Sequence, residues 1–142
     1  MTTPPEAPRP VELAATILAA LPFAGELGIE LEEAGAERTT GVLAWSERLC
    51  TVGGTLHGGA LMAFADTVGA VCAFLNLPPG AGTSTVESKT NFFRGVRSGK
   101  VRAEARPLHV GRSFVVVQTD LYDDEGRRVG QTTQTQAVLG GT

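Results

Sequence analysis

One carboxylate stands apart in this sequence. From Ala60 to Leu75 the chain is almost wholly apolar, and Asp66 is its one charged residue. Such a run reads as a buried helix, and a carboxylate inside a buried helix is costly unless it has partners or a task. Immediately upstream lies Gly53-Gly54-Thr55-Leu56-His57-Gly58-Gly59. Glycines at a helix start leave backbone N–H groups open, and that end of the helix favours negative charge. A nucleophile or base together with a donor site for an oxyanion is the equipment for attack on an activated carbonyl. The Gly58 and Asp66 positions are eight residues apart, roughly 12 Å along a helix axis. They cannot serve one carbonyl from the same chain. Two such helices packed antiparallel about a two-fold axis would bring Gly58 of one copy towards Asp66 of the other and create two identical sites.

The same residues admit plainer readings. Asp66 could be a structural acid bonded to Thr55, Thr67 or a neighbouring strand. His57 could cap the helix or bond a loop carbonyl. A Cys50–His57 nucleophile pair has nothing else in the sequence behind it. With only His57 and His109 available, no metal site is expected. Gly53-Gly54 does not match a phosphate loop.

The surrounding pattern says what must position these groups. Residues 1–9 form a Pro-rich tail expected to be disordered, and residues 10–142 a single domain. Pro10 opens a short helix over 11–21, with Leu13, Ile17, Leu18 and Leu21 on one face and Pro22 as its stop. Phe23–Gly28 is a turn or second short helix. Ile29–Glu32 alternates as a strand and pairs with Arg38–Trp45 across a turn near Gly35. The long helix runs from about His57 to Leu75, ended by Pro78-Pro79-Gly80. Strands follow over 83–96, 101–110, 113–122 and 128–139, with Pro107 marking an edge or a bulge and Asp123–Gly126 a hairpin turn. This order predicts an α+β fold, an antiparallel sheet wrapped around one central helix. No second long helix exists to cover the other side of the first, so an oligomer is expected.

Composition narrows the function classes. Of 142 residues, 42% are hydrophobic and 19% charged, with a net charge of −3, so nothing points to nucleic acid. No signal peptide is seen, and the run 60–75 is shorter than the roughly 20 residues of a membrane span. No membrane partner is expected. Two cysteines in different contexts make no disulfide framework, and Cys72 reads as a small core hydrophobe, giving a cytoplasmic expectation.

The run His57-Gly58-Gly59, an acid nine positions after the histidine, then a helix and four strands resembles the hotdog-fold acyl-CoA thioesterases. The likeness covers roughly residues 25–140 and is greatest to the phenylacetate-pathway and 4-hydroxybenzoyl-CoA thioesterase-like branch. It implies hydrolysis of acyl-CoA, aryl or short- to medium-chain, to free acid and CoA by a homodimer or a homotetramer of two dimers. It implies no cofactor, coenzyme A being part of the substrate. Residue by residue, it makes Asp66 nucleophile or general base and Gly58 N–H the oxyanion donor. His57 would orient the thioester, and Thr85 would help hold the attacking water. Thr51 stands where that branch often has Asn, so the water network is expected to be rearranged. Gly59 would add a second amide. Leu61, Met62, Phe92 and Phe93 are the expected acyl pocket, and Arg94, Arg97 and Arg112 the expected phosphate ligands. Lys100 and the Arg127-Arg128 pair are further candidates. Two rivals share the fold. One is a non-catalytic acyl-CoA or lipid-binding module. The other is a hydratase, whose Asp and later nearby His have no counterpart here, since the next histidine is His109.

Overall fold

A computed structural model describes residues 2–141. Residues 2–9 carry no helix or strand. Helix α1 spans Pro10–Ala19, its proline at the first position, where a missing N–H costs nothing. It stops short of the expected Leu21 because a residue before proline is pushed out of the helical region, and Leu21 takes φ −114°, ψ 84°. Pro22 then opens a second helix, α2 (Pro22–Leu27), as well as ending the first.

Strands β1 (Ile29–Ala34) and β2 (Thr39–Ala44) form the first hairpin. The central helix α3 spans Gly58–Phe74, with His57 as N-cap and Leu75 as C-cap. Four strands follow, β3 (Gly82–Phe92), β4 (Lys100–Val110), β5 (Phe114–Tyr122) and β6 (Arg128–Leu139). All six make one antiparallel sheet in the order β1-β2-β4-β5-β6-β3. The strand after α3 thus crosses to the far edge and pairs with the last strand of the chain. Before α3, a 3₁₀ turn at Glu47–Leu49 and a Cys50–Leu56 bridge shape the loop. Leu56 N–H donates to Val96 O (2.9 Å) and His57 N–H to Leu49 O (2.8 Å), fixing where α3 begins.

The core is the seam between α3 and the sheet. Phe64, Ala65, Val68 and Cys72 pack against Leu43, Val101, Ala103, Val115, Val117, Leu121 and Val129. Odd positions of β4 and β5 supply that inner face, as the two-residue strand period requires. Each buried side chain of this size contributes roughly 1.5–3 kcal/mol, so packing holds α3 in place. Burial pushes the Cys72 thiol up to about 11, against a smaller lowering by the Thr39 hydroxyl, so this cysteine is a packing residue. Pro107 lies in an interior strand, at a bulge between Pro107 and His109. The pairing with β2 has already ended at Ala105, so the missing donor is tolerated.

The sheet covers only one side of α3. Leu61, Phe64, Val68 and Cys72 are buried, while Met62 and Phe74 on the other side are 40% and 49% exposed. Strand β3 is an edge, with Val86 exposed on it.

Candidate active site

Asp66 sits in the middle of α3, half-buried, on the border between the covered and the open side. Its Oδ1 accepts from Thr85 Oγ1 at 2.9 Å and from Gln134 Nε2 at 3.0 Å. Gln134 Nε2 also lies 3.4 Å from the Asp66 carbonyl. Gln136 Nε2 donates to Thr85 Oγ1 at 2.7 Å, and Thr83 Oγ1 donates to Gln136 Oε1 at 3.1 Å. Asp66 Oδ2 has no partner among the described residues. Of the structural readings of Asp66, the contacts come from neighbouring strands; Thr67 instead bonds the Ala63 carbonyl.

A bulge makes this geometry available. The β3–β6 register shifts between Thr85 and Glu87, leaving Val86 as the extra residue. Before it, Thr83 and Thr85 face α3 and β6; after it, Thr90 bonds Thr132 at 2.7 Å and Phe92 packs on Gly58. Odd positions face inward on one side of the bulge and even positions on the other, so both Thr85 and Phe92 meet the helix.

At the start of α3, Gly58 N–H has no acceptor among the described residues. The Phe92 ring lies so close that a Cβ on Gly58 would stand 3.2 Å from it. His57 is the cap: its Nδ1 accepts from Gly59 N–H at 2.7 Å. An imidazole accepting at Nδ1 carries its proton at Nε2. The Gly59 amide thus already has an acceptor within the chain. The Cys50–His57 pairing is also absent, since Cys50 Sγ turns to the Ser46 carbonyl at 3.3 Å.

The other expected residues divide. Leu61 is 3% exposed and packs in the core. Met62, one residue on, is exposed on the open side. Phe92 and Phe93 separate as neighbours in a strand do. Phe92 meets Gly58, whereas Phe93 lies under the Arg128 guanidinium, 5.5 Å from its ring centre, so the two do not form one pocket wall in this chain. Thr51 is exposed in the loop before α3, its N–H bonded to Thr55 O at 2.8 Å, and makes no contact with Asp66 within this chain. Arg97 Nη1 holds the Gly53 carbonyl at 2.8 Å, bracing the glycine loop. Arg94 follows β3 with an exposed side chain, near Arg97 in sequence. Arg112 lies in the β4–β5 turn, so the whole of β4 separates it from Arg94 and Arg97. A cavity of about 220 Å³ lies between the β3–β4 loop and the β5–β6 turn, lined by Arg97, Ser98, Asp123, Asp124 and Arg127 among others. It includes neither Gly58 nor Asp66.

Three participants escape a reading of the sequence. Gln134 and Gln136 are fully buried on the inner face of β6, and Gly69 lies one turn after Asp66. The available signal was a run of polar residues at every second position, Thr132, Gln134 and Gln136, on a face that must meet an apolar helix. A Cβ at Gly69 would collide with Gln134 Oε1 and stand 3.1 Å from Thr119 Oγ1, so only glycine lets the amide approach.

The family model described as "Thioesterase superfamily" matches residues 53–130, from the glycine loop through β6's start. The chain is 32% identical over 114 residues to the proofreading thioesterase EntH of Cronobacter turicensis, covering 80% of this chain and 83% of that one. It is 30% identical over 115 residues to 1,4-dihydroxy-2-naphthoyl-CoA hydrolase of Escherichia coli, covering 81% and 85%. Among solved structures, the thioesterase HI1161 of Haemophilus influenzae superposes with a TM-score of 0.85 at 29% identity, covering 95% and 93% of the two chains. The chain belongs to the thioesterase superfamily, and its sheet and central helix are that family's hotdog fold.

Proposed function

We propose that the protein hydrolyses acyl-CoA thioesters at sites shared between two copies of the chain, each using Asp66 of one and Gly58 N–H of the other. One observation carries this reading. A half-buried carboxylate is held by donors on a single oxygen, and its other oxygen is open. The free amide that could stabilise an oxyanion stands at the other end of the same exposed helix side, roughly 12 Å away. The open side of α3 and the edge strand β3 are the surfaces a two-fold partner would cover. Pairing of two dimers into a tetramer is part of the proposal.

In the reaction, the carbonyl oxygen of the thioester takes the Gly58 N–H as negative charge develops on it. Asp66 either bonds the carbonyl carbon or takes the proton of a water whose oxygen does so. The C–S bond then breaks, and its electron pair leaves with the CoA thiolate, which gains a proton. In the first case, water opens the resulting anhydride. The Thr85 hydroxyl steadies the carboxylate, and His57 holds the first turn of α3 in shape. Exposed Met62 and Phe92 offer apolar surface for the acyl group, and Arg94, Arg97 and Arg112 are proposed to receive CoA phosphates. The aryl-CoA substrate in the name of the Escherichia coli relative supports an aromatic acyl group. Free Cys50 and Cys72 fit a cytoplasmic setting.

The test is thiol release over a panel of aryl-, short- and long-chain acyl-CoAs, with oligomer mass measured on the same sample. Release with at least one class from a dimer or tetramer supports the reading. No release from any member would favour a binding module, and an active monomer would remove the shared site.

A further inference from the structure

We infer that Gln134 and Gln136 are positioning residues that aim Asp66 and leave its Oδ2 as the oxygen that reacts; this rests on the hydrolase reading above. Both amides are fully buried, at 0% and 1% exposure. Buried amides are expensive unless their groups are bonded, so their bonds are informative. An amide nitrogen can only donate. Gln136 Nε2 donates to Thr85 Oγ1, which leaves the Thr85 proton for Asp66 Oδ1. The one Thr83 hydroxyl proton is shared between the Ala137 carbonyl (2.9 Å) and Gln136 Oε1 (3.1 Å), so the accepting end of the Gln136 amide faces Thr83 and its donating end faces Thr85. The donors run in one direction, from Gln136 through Thr85 to the carboxylate.

Gln134 acts on the same oxygen directly and spans to the Asp66 carbonyl, tying side chain to main chain. Two donors on Oδ1 leave Oδ2 as the oxygen turned to a substrate. The far end of Gln134 supports this assignment. Its Oε1 is buried without a partner, as is Thr119 Oγ1 beside it. An apolar side chain at 134 would remove that cost, so stability alone does not account for the amide. Its contact with Asp66 does, and Gly69 supplies the space.

Steady-state hydrolysis of benzoyl-CoA, or of the panel thioester released fastest, tests this. The variants are Gln134→Met, Gln136→Met, Thr85→Val, the Thr85→Val/Gln136→Met double and Asp66→Asn, each with a thermal melt. Gln134→Met is expected to lower kcat roughly 10- to 100-fold with KM within about twofold. Gln136→Met should lower kcat about three- to tenfold, and the double variant should be no slower than Thr85→Val alone, because Gln136 acts through Thr85. A melting temperature lowered with kcat unchanged would make the glutamines structural and overturn the inference. Losses that multiply in the double variant would overturn the relay. If Gln134→Met does not fold, the Thr85–Gln136 cycle decides. An Asp66→Asn protein as active as the parent would sink the hydrolase reading itself; an inactive one beside unaffected glutamine variants would sink only the inference.

Discussion

Two aspartates on opposite faces of the sheet meet glutamines of the same strand and end up in different chemistry. Asp120, on β5, is 2% exposed. Its Oδ1 accepts from Gln131 Nε2 at 2.8 Å and faces Arg128 Nη1 at 3.5 Å, while its Oδ2 faces Arg106 Nη2 at 3.2 Å. Among the described residues, Asp66, on α3, has donors on Oδ1 alone and no cation. Gln131 and Gln134 are three residues apart, an odd number, so they leave β6 on opposite faces. The more deeply buried acid is saturated on both oxygens by two half-exposed arginines and a glutamine, which is how a structural carboxylate is stabilised. The less buried one is aimed and left unfinished. Under the proposed mechanism it is the unmatched oxygen of Asp66, and not its burial, that equips it to react.

Substitutions at the two acids should have opposite consequences. The largest effect is expected at Asp66→Asn, with thiol release down by roughly a thousandfold or more and the unfolding midpoint little changed. Asp120→Asn should do the reverse, costing about 1–3 kcal/mol in denaturant unfolding while kcat stays within about twofold. Matching losses of activity in the two variants would erase the distinction. Gly58→Pro comes next. Proline is tolerated at the first helical position, and its Cβ, 3.2 Å from the Phe92 ring, asks that exposed ring to give by a few tenths of an ångström, so the helix should persist while the oxyanion donor is lost and kcat falls about 100- to 1,000-fold. Gly69→Ala should cost about 1–3 kcal/mol through overpacking and lower kcat as well, since the added methyl displaces Gln134 from Asp66.

The smallest effect concerns a third acid, Asp123 in the β5–β6 turn. Burial works to raise its carboxyl, but hydrogen bonds from the Arg127 N–H and side chain and from Glu125 N–H, with the Arg127 charge, hold it below the ordinary value. A folded value below the unfolded one stabilises above the unfolded value and loses that contribution as pH falls through the folded one. Asp123→Asn should therefore be less stable than the parent near pH 7, and the difference should shrink in denaturant unfolding as pH falls through the folded carboxyl's lowered value.

Much of this could be read along the chain. The apolar run with its lone Asp66, the glycine loop ahead of it and the alternating strands each follow from local periodicity, and β6 falls on 128–139 as expected. What escaped depends on contacts between distant segments. The crossing of β3 to the edge beside β6, and the Val86 bulge that turns Thr85 to the helix, are matters of register that no local pattern fixes. Leu61 and Met62 are adjacent and both apolar, and only the side of α3 that the sheet covers sends one inward and leaves the other out. The acceptor of the Gly59 amide is a matter of local chemistry, because His57 is close enough to take it as an N-cap. Gln134 reads as an ordinary polar strand residue until Gly69 is placed opposite it.

The sharing of each site between two copies has a direct test in mixed dimers. Asp66→Asn and Gly58→Pro chains, carrying different purification tags, are co-expressed and the doubly tagged dimer is isolated. Each homodimer has two broken sites and should be inactive. The mixed dimer joins the intact Gly58 of one chain to the intact Asp66 of the other, so one of its sites works and about half of the parental kcat per dimer returns. A mixed dimer as inactive as both parents would mean that each chain completes its own site, and the two-copy mechanism would fall.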